Sequence, residues 1–179
     1  SPFGWGLPVA GTFHNNELTD FYIVPAQDGY LAATRVLGGK RPRSSMSPTI
    51  VYGPDGKVRI AVGAAGGSTI IAQVAKTLIA VLDWKMSAQD AIRLGLIYTP
   101  GPGGVVEKGT QLEPMLPALA ALGEQLRAAP LGLKANAIEQ VDGRWAGGAD
   151  PRSEGVVLDV RGAGADIRRI DLAPNAPHE

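Results

Sequence analysis

Cysteine is absent from this sequence, which excludes disulfides, thiol catalysis and thiolate metal sites while leaving the redox state of its compartment open. Histidine is nearly as scarce. His14 and His178 are the only two, neither has a second ligand at zinc spacing, and no metal or other cofactor is expected. No stretch approaches the roughly 20 uninterrupted apolar residues of a membrane span, and no basic-then-apolar leader stands at the first residues, so no membrane span is expected. An excess of either charge is missing too. Lysine plus arginine and aspartate plus glutamate number 17 each, so the balance favours no polyanionic partner and no nucleic acid is expected.

What is present is 179 residues, 45% of them hydrophobic, enough for one domain with a real core over 1–179 and cramped for two. The opening SPFGWGLPVAG begins directly in loop chemistry, as a cut end would. The runs TIVYG and VRIAVG, separated by Pro54, Asp55 and Gly56, predict a hairpin of strands 49–53 and 57–63. After AAGG, the spacing of apolar residues at Ile70, Ile71, Val74, Leu78, Ile79 and Leu82 puts most of them on one broad helical face, so a helix is expected to start near Gly67 or Ser68. Ser87 with Asp90 three residues on forms a capping box for a short helix through Leu94. QLEPMLPALAALGEQLRA suggests a third helix, with Pro114 and Pro117 suited only to a first turn. LKANAIEQV and RWAGGAD predict a second hairpin turning at VDGR, and the tail from 161 reads as irregular or extended. Strands in hairpins with the helices grouped between them make the fold class α+β, mainly antiparallel.

Three segments carry possible chemistry, and each has a plain structural reading beside it. In VGAAGGST a strand runs through consecutive glycines into a helix. This either permits a tight turn or presents bare N–H groups to a phosphate, a carboxylate or a developing oxyanion. A nucleotide site is disfavoured, because no P-loop lysine follows and the dinucleotide glycine spacing is missing. In NNELTDF, Glu17 and Asp20 lie three apart, as surface residues or as a pair able to bind an ammonium group, and the asparagines suit turn-closing hydrogen bonds. In KRPRSSMSPTI, the adjacent Ser44 and Ser45 either cap local backbone or hold a carboxylate. An ammonium site and a carboxylate site together would recognise an α-amino acid moiety.

Taken in order, NNELTDF, GKRPRSSMSPTIV, VGAAGGS and ADPRSEG closely resemble the small, C-terminal subunit of the gamma-glutamyltransferases, also called gamma-glutamyltranspeptidases or glutathione hydrolases. The resemblance covers about residues 1 to 155, and 156–179 carry no assignable motif. It implies an N-terminal-nucleophile hydrolase fold, an αββα sandwich made when a precursor cleaves itself into large and small subunits, with the large subunit as partner. It also implies that Glu17 and Asp20 hold the substrate α-amino group, that Ser44 and Ser45 hold the α-carboxylate, and that Gly66 and Gly67 form the oxyanion hole. Lys40 and Arg41 are left structural, with Pro42 stiffening the approach to the serines. The family nucleophile, a threonine, is expected upstream of Ser1, so this chain alone is expected to be inert.

The implied reaction is γ-glutamyl transfer or hydrolysis, acting on glutathione and other γ-glutamyl amides, with a periplasmic or secreted location favoured. Two alternatives remain. One is a glutaryl-cephalosporin acylase, against which the paired carboxylates count because a glutaryl donor has no ammonium to balance them; the other is a fragment that binds amino acids without catalysis. The stretch from Tyr22 to Gly39 and the segment IYTPGPGG depart from the glutathione-acting members and leave the acceptor open. Trp5, Trp84 and Trp145 read as packing residues, Trp5 also as a candidate border of the substrate entrance.

Overall fold

A computed structural model describes residues 8–160 and 167–170. The chain divides into two compact units, Ser1–Ser44 and Ser45–Glu179.

The first unit is built from tight turns. Strands β1 (Pro8–Val9) and β2 (Thr12–Phe13) pair around Ala10 and Gly11, and β3 (Ala26–Gln27) and β4 (Tyr30–Leu31) pair around Asp28 and Gly29. Between the two hairpins lies a 3-10 helix, Glu17–Asp20. No described residue of this unit is buried. Its order rests on local hydrogen bonds, such as Lys40 Nζ donating to the Ala33 carbonyl at 2.7 Å and Tyr22 N–H to Thr34 at 2.9 Å.

The second unit holds the core. Strands β5 (Thr49–Tyr52) and β6 (Val58–Ala65) form the expected hairpin, closed by Gly53 N–H to the Lys57 carbonyl at 2.8 Å and by the Asp55 side chain accepting from Lys57 N–H at 3.1 Å. A short 3-10 turn, Gly67–Thr69, leads into α1 (Ile70–Leu82), and α2 (Ala88–Arg93) follows. Ser87 caps α2 as its spacing predicts, its Oγ accepting from Asp90 N–H at 3.1 Å. Strands β7 (Ile97–Tyr98) and β8 (Gly104–Glu107) then pair antiparallel across the Pro/Gly turn.

The third helix departs from expectation. A 3-10 turn at Glu113–Met115 and α3 (Leu116–Ala121) carry Pro114 and Pro117 in their first turns as required, but α3 ends at a Gly123 with φ 92°. Residues 126–128, read as helix, belong to β9 (Leu126–Ala129), which pairs parallel with β8. Parallel neighbours need a crossover, and α3 supplies it; the gain from filling that sheet position overrides the helix propensity of Leu, Arg and Ala.

Strands β10 (Lys134–Val141) and β11 (Arg144–Ala149) form the second predicted hairpin. Asp142 and Gly143 have φ of 49° and 75°, the left-handed pair of a two-residue turn. Strand β12 (Val157–Val160) pairs with β13 (Ile167–Ile170), which lies in the tail and is extended; the rest of the tail lies outside the described residues.

The central sheet runs β11-β10-β6-β5, antiparallel throughout, and the fold class is α+β. On β6, Ile60 and Val62 are buried and face the helices, where Val74, Ala80, Val81, Ala88 and Ala91 meet them. Gly148 on β11 lets α2 approach closely, for a Cβ there would stand 3.0 Å from the Gln89 nitrogen and 3.1 Å from the Ala88 carbonyl carbon. The opposite face of the sheet is open, with Ile50, Tyr52, Ile138 and Trp145 exposed. Trp84 and Trp145 are exposed rather than packed, and Trp5 lies outside the described residues.

Candidate active site

The carboxylate pair sits on the short 3-10 helix of the first unit. With three residues per turn, positions three apart eclipse, so Glu17 and Asp20 leave the helix on the same side. The asparagines set its start. Asn15 Oδ1 accepts from Glu17 N–H at 3.1 Å, and the Asn16 carbonyl accepts from Thr19 Oγ1 at 2.8 Å and from Thr19 N–H at 3.0 Å. Glu17 is half-buried and Asp20 exposed, leaving both acid groups solvated. His14 lines a recess shared with Phe13 and Leu18.

Ser44 closes the first unit and Ser45 opens the second. The segment onward to β5 is extended and locally braced, Ser47 Oγ donating to the Ser45 carbonyl at 3.0 Å and Thr49 Oγ1 to the Ser47 carbonyl at 3.1 Å. Arg41 and Arg43 on the preceding segment are exposed. Because Thr49 pairs with Val62 in an antiparallel register, the chain that enters β5 from Ser45 and the chain that leaves β6 toward Gly66 meet the sheet at the same end.

That end is shaped by the glycines. Gly66 has φ 134° and ψ 19°, and Gly67 has φ 61°, conformations that other residues adopt only under strain. A Cβ on Gly66 would stand 2.7 Å from Thr69 Oγ1 and 2.9 Å from Gln73 Nε2, so no side chain fits. The first N–H groups of a helix lack intrahelical acceptors, and the 13-residue α1 that follows adds the favourable end of its dipole. An anion or a developing oxyanion is the chemistry such a turn suits. Thus Glu17 with Asp20 share one helical turn, Ser45 with Gly66 and Gly67 share one end of the central sheet, and Ser44 stands at the junction of the units.

The segment ADPRSEG anchors the scaffold behind the sheet. Asp150 is buried and accepts from Ala135 N–H at 3.1 Å, from Arg152 N–H at 2.9 Å and from Arg152 Nη1 at 3.1 Å. Arg152 also pairs in fork fashion with Glu107, Nε to Oε1 and Nη2 to Oε2, and donates to the Ile92, Arg93 and Leu94 carbonyls at 3.0 Å each. Burial lowers the guanidinium pKa, but the hydrogen bonds it donates to Glu107 and Asp150, with their charges, outweigh it and leave the group above its ordinary value.

Lys76 on α1 donates to two of the same carbonyls, Ile92 and Leu94. Burial first, then the Arg152 charge, lower its pKa to about 8, against the pull of Glu107 and Asp150. Since 8 lies below the unfolded 10.5, the unfolded chain binds more protons between them, and stability rises with pH across that window. In the complete protein, the stability of wild type relative to Lys76→Met is expected to improve by about 2 kcal/mol from pH 7.5 to pH 10, allowing for partial exposure. Denaturant midpoints at the two pH values measure this, and a constant difference would remove the assignment.

Two features here escape sequence reading. Gln73 is 1% exposed, yet an internal helical glutamine carries no mark of burial, and the Arg152 fork joins residues far apart in the chain. Among the described residues no group of three His, Cys, Asp or Glu is placed to hold a metal ion, and no helix is long and apolar enough to cross a membrane; His178 lies outside them.

A family model described as Gamma-glutamyltranspeptidase matches residues 1–160. The glutathione hydrolase proenzyme of Bacillus subtilis is 31% identical over 163 residues, 88% of this chain and 27% of that protein. Among solved structures, the Helicobacter pylori gamma-glutamyltranspeptidase T380A mutant superposes with a TM-score of 0.71 at 31% identity, covering 84% of this chain and 87% of its own. The Pseudomonas nitroreducens gamma-glutamyltranspeptidase complexed with L-DON gives 0.73 at 27% identity, covering 89% and 88%. The chain spans about a quarter of the length of the two Bacillus subtilis glutathione hydrolase proenzymes it matches.

Proposed function

Because the chain belongs to the gamma-glutamyltranspeptidase family, we propose that it is most of the small subunit of an enzyme that transfers or hydrolyses γ-glutamyl groups. Glu17 and Asp20 receive the donor's α-ammonium, Ser44 and Ser45 its α-carboxylate, and the N–H groups of Gly66 and Gly67 the oxyanion. The observation that carries this reading is the glycine turn, where positive φ at both residues and the lack of room for a Cβ on Gly66 hold bare N–H groups at the start of α1.

The nucleophile is the threonine that the resemblance places ahead of Ser1. Its hydroxyl adds to the γ-carbonyl, and the negative charge that develops on the carbonyl oxygen falls to the glycine N–H groups, which are already oriented and cost no reorganisation. The amine leaves with a proton, and water or an acceptor amine then cleaves the γ-glutamyl-threonine ester. The large subunit from the same precursor is the partner. The open sheet face bearing Ile50, Tyr52 and Ile138 is an apolar surface for it to cover, completing the second half of an αββα sandwich.

The test compares two anilides differing only in the α-ammonium. For the complete enzyme, kcat/KM for γ-glutamyl anilide is expected to exceed that for glutaryl anilide by about 10² or more, because glutaryl leaves two carboxylates without their counter-charge. Equal rates, or a preference for glutaryl, would replace this reading by that of a glutaryl acylase.

A further inference from the structure

The glycine turn is held by a side chain two helical turns away from any expected site residue. Gln73 sits on α1 with its amide almost wholly buried, and every polar atom of that amide is engaged. Its Oε1 accepts from Lys134 N–H at 2.9 Å, and its Nε2 donates to the Ala65 carbonyl and to Thr69 Oγ1, each at 3.0 Å. Thr69 Oγ1 in turn donates to the Gly66 carbonyl at 3.0 Å. Ala65 and Lys134 are the last paired residues of β6 and β10 at this end, so the glutamine amide stands in for the next peptide group of the ladder where the two strands part.

The consequence follows from peptide planarity. The Ala65 carbonyl and the Gly66 N–H belong to one rigid peptide unit, and the Gly66 carbonyl and the Gly67 N–H to the next; both bonds are trans, so each N–H points opposite to its carbonyl. Fixing the two carbonyls therefore fixes the directions of the two N–H groups. Both carbonyls end on the Gln73–Thr69 pair. The Thr69 N–H also reaches the Gly66 carbonyl, at 3.4 Å; glycines have more rotational freedom than any other residue, and without the side-chain bonds the Ala65 carbonyl would lose the Gln73 amide and the Gly66 carbonyl would keep only that long contact.

We propose that Gln73, acting through Thr69, is a positioning residue for the oxyanion turn: it aims the N–H groups of Gly66 and Gly67 without touching substrate. This inference rests on the oxyanion role given to those glycines above. Its signature is specific, since misaimed donors weaken transition-state contacts and leave ground-state binding of the donor to other residues.

In the complete enzyme, with active sites counted by a covalent γ-glutamyl label, Gln73→Met is expected to lower kcat by about 10- to 100-fold and to change KM for γ-glutamyl anilide by less than about twofold. Thr69→Val, at a half-buried position, should lower kcat in the same way, whereas Thr69→Ser, which keeps the hydroxyl, should restore it. The double variant Gln73→Met with Thr69→Val should cost far less than the product of the two single losses. A merely structural glutamine would instead give a lower melting temperature with unchanged kcat per labelled site, and that result overturns the proposal. Gly66→Ala separates the two levels: if it loses turnover while Gln73→Met and Thr69→Val keep it, the brace is wrong and the oxyanion role stands. Full turnover in Gly66→Ala would remove the oxyanion role and the brace together.

Discussion

Replacing Asp20 by alanine in the complete enzyme is expected to lower kcat/KM for γ-glutamyl donors by about 10²–10³, while precursor self-cleavage continues at close to its normal rate. The magnitude comes from the pairing. A bound donor would cover Glu17 and Asp20 and turn solvated carboxylates into a desolvated partner for its ammonium, and breaking such a pair costs about 3–5 kcal/mol, or about two to three powers of ten. Self-cleavage breaks a peptide bond of the chain itself and engages no γ-glutamyl ammonium, so it should be spared. Gel separation of the two subunits and an anilide assay on the same preparation measure both quantities. Normal turnover with intact processing would remove the ammonium site from Asp20, and loss of processing alongside turnover would mean the residue serves the fold. Asp20→Asn keeps the shape and loses the charge, and should fall nearly as far as alanine.

The second large effect is on stability. Arg152→Met should cost the complete protein about 3–5 kcal/mol, a large share of the roughly 5–15 kcal/mol by which folded domains outlast their unfolded chains. Methionine fills much of the same volume but takes the cation from two buried carboxylates, Glu107 and Asp150, and a donor from three carbonyls at the end of α2, of which Ile92 and Leu94 keep Lys76 and Arg93 does not. Glu107→Gln should be milder, because an amide still accepts one guanidinium hydrogen bond and leaves Asp150 to balance the charge. Urea midpoints for the two variants, or the fraction of precursor recovered in solution, check the order. An Arg152→Met protein as stable as wild type would mean that the fork contributes nothing net.

The parts of this fold that a sequence states plainly are those whose cause is local. GPDG between β-branched runs and VDGR between alternating ones specify their turns by conformation, and both hairpins form where expected. The spacing of Ile70, Val74, Leu78 and Leu82 specifies α1 because burial of one face is the whole reason for the helix. Strand β9 is hidden because LRAA has no strand chemistry; only its partner β8, reached through a crossover, makes it one. The site divides similarly. Gly66 and Gly67 are conspicuous because few backbones need two glycines before a helix, and Glu17 and Asp20 because their interval matches one turn. Gln73 and Arg152 act through carbonyls and carboxylates elsewhere in the chain, and nothing in their neighbours along the sequence marks them.

Helix α2 shows what that distance means for the order of events. Six residues are far too few to hold a helix in water, and beyond α1 and the Ser87 cap its supports come from much later in the chain. The Glu139 carboxylate accepts from Ala88 N–H at a separation of 51 residues, the Gln89 amide exchanges two hydrogen bonds with Ala149 at 60, and Arg152 closes the far end on Ile92, also at 60. During synthesis, residues 88–93 therefore leave the ribosome with only the Ser87 cap and α1, whose Lys76 reaches the Ile92 and Leu94 carbonyls, to fasten them. The helix is a keystone of this layer, and a nascent chain halted short of residue 134 would hold it from one side alone, without Glu139, Ala149 and Arg152.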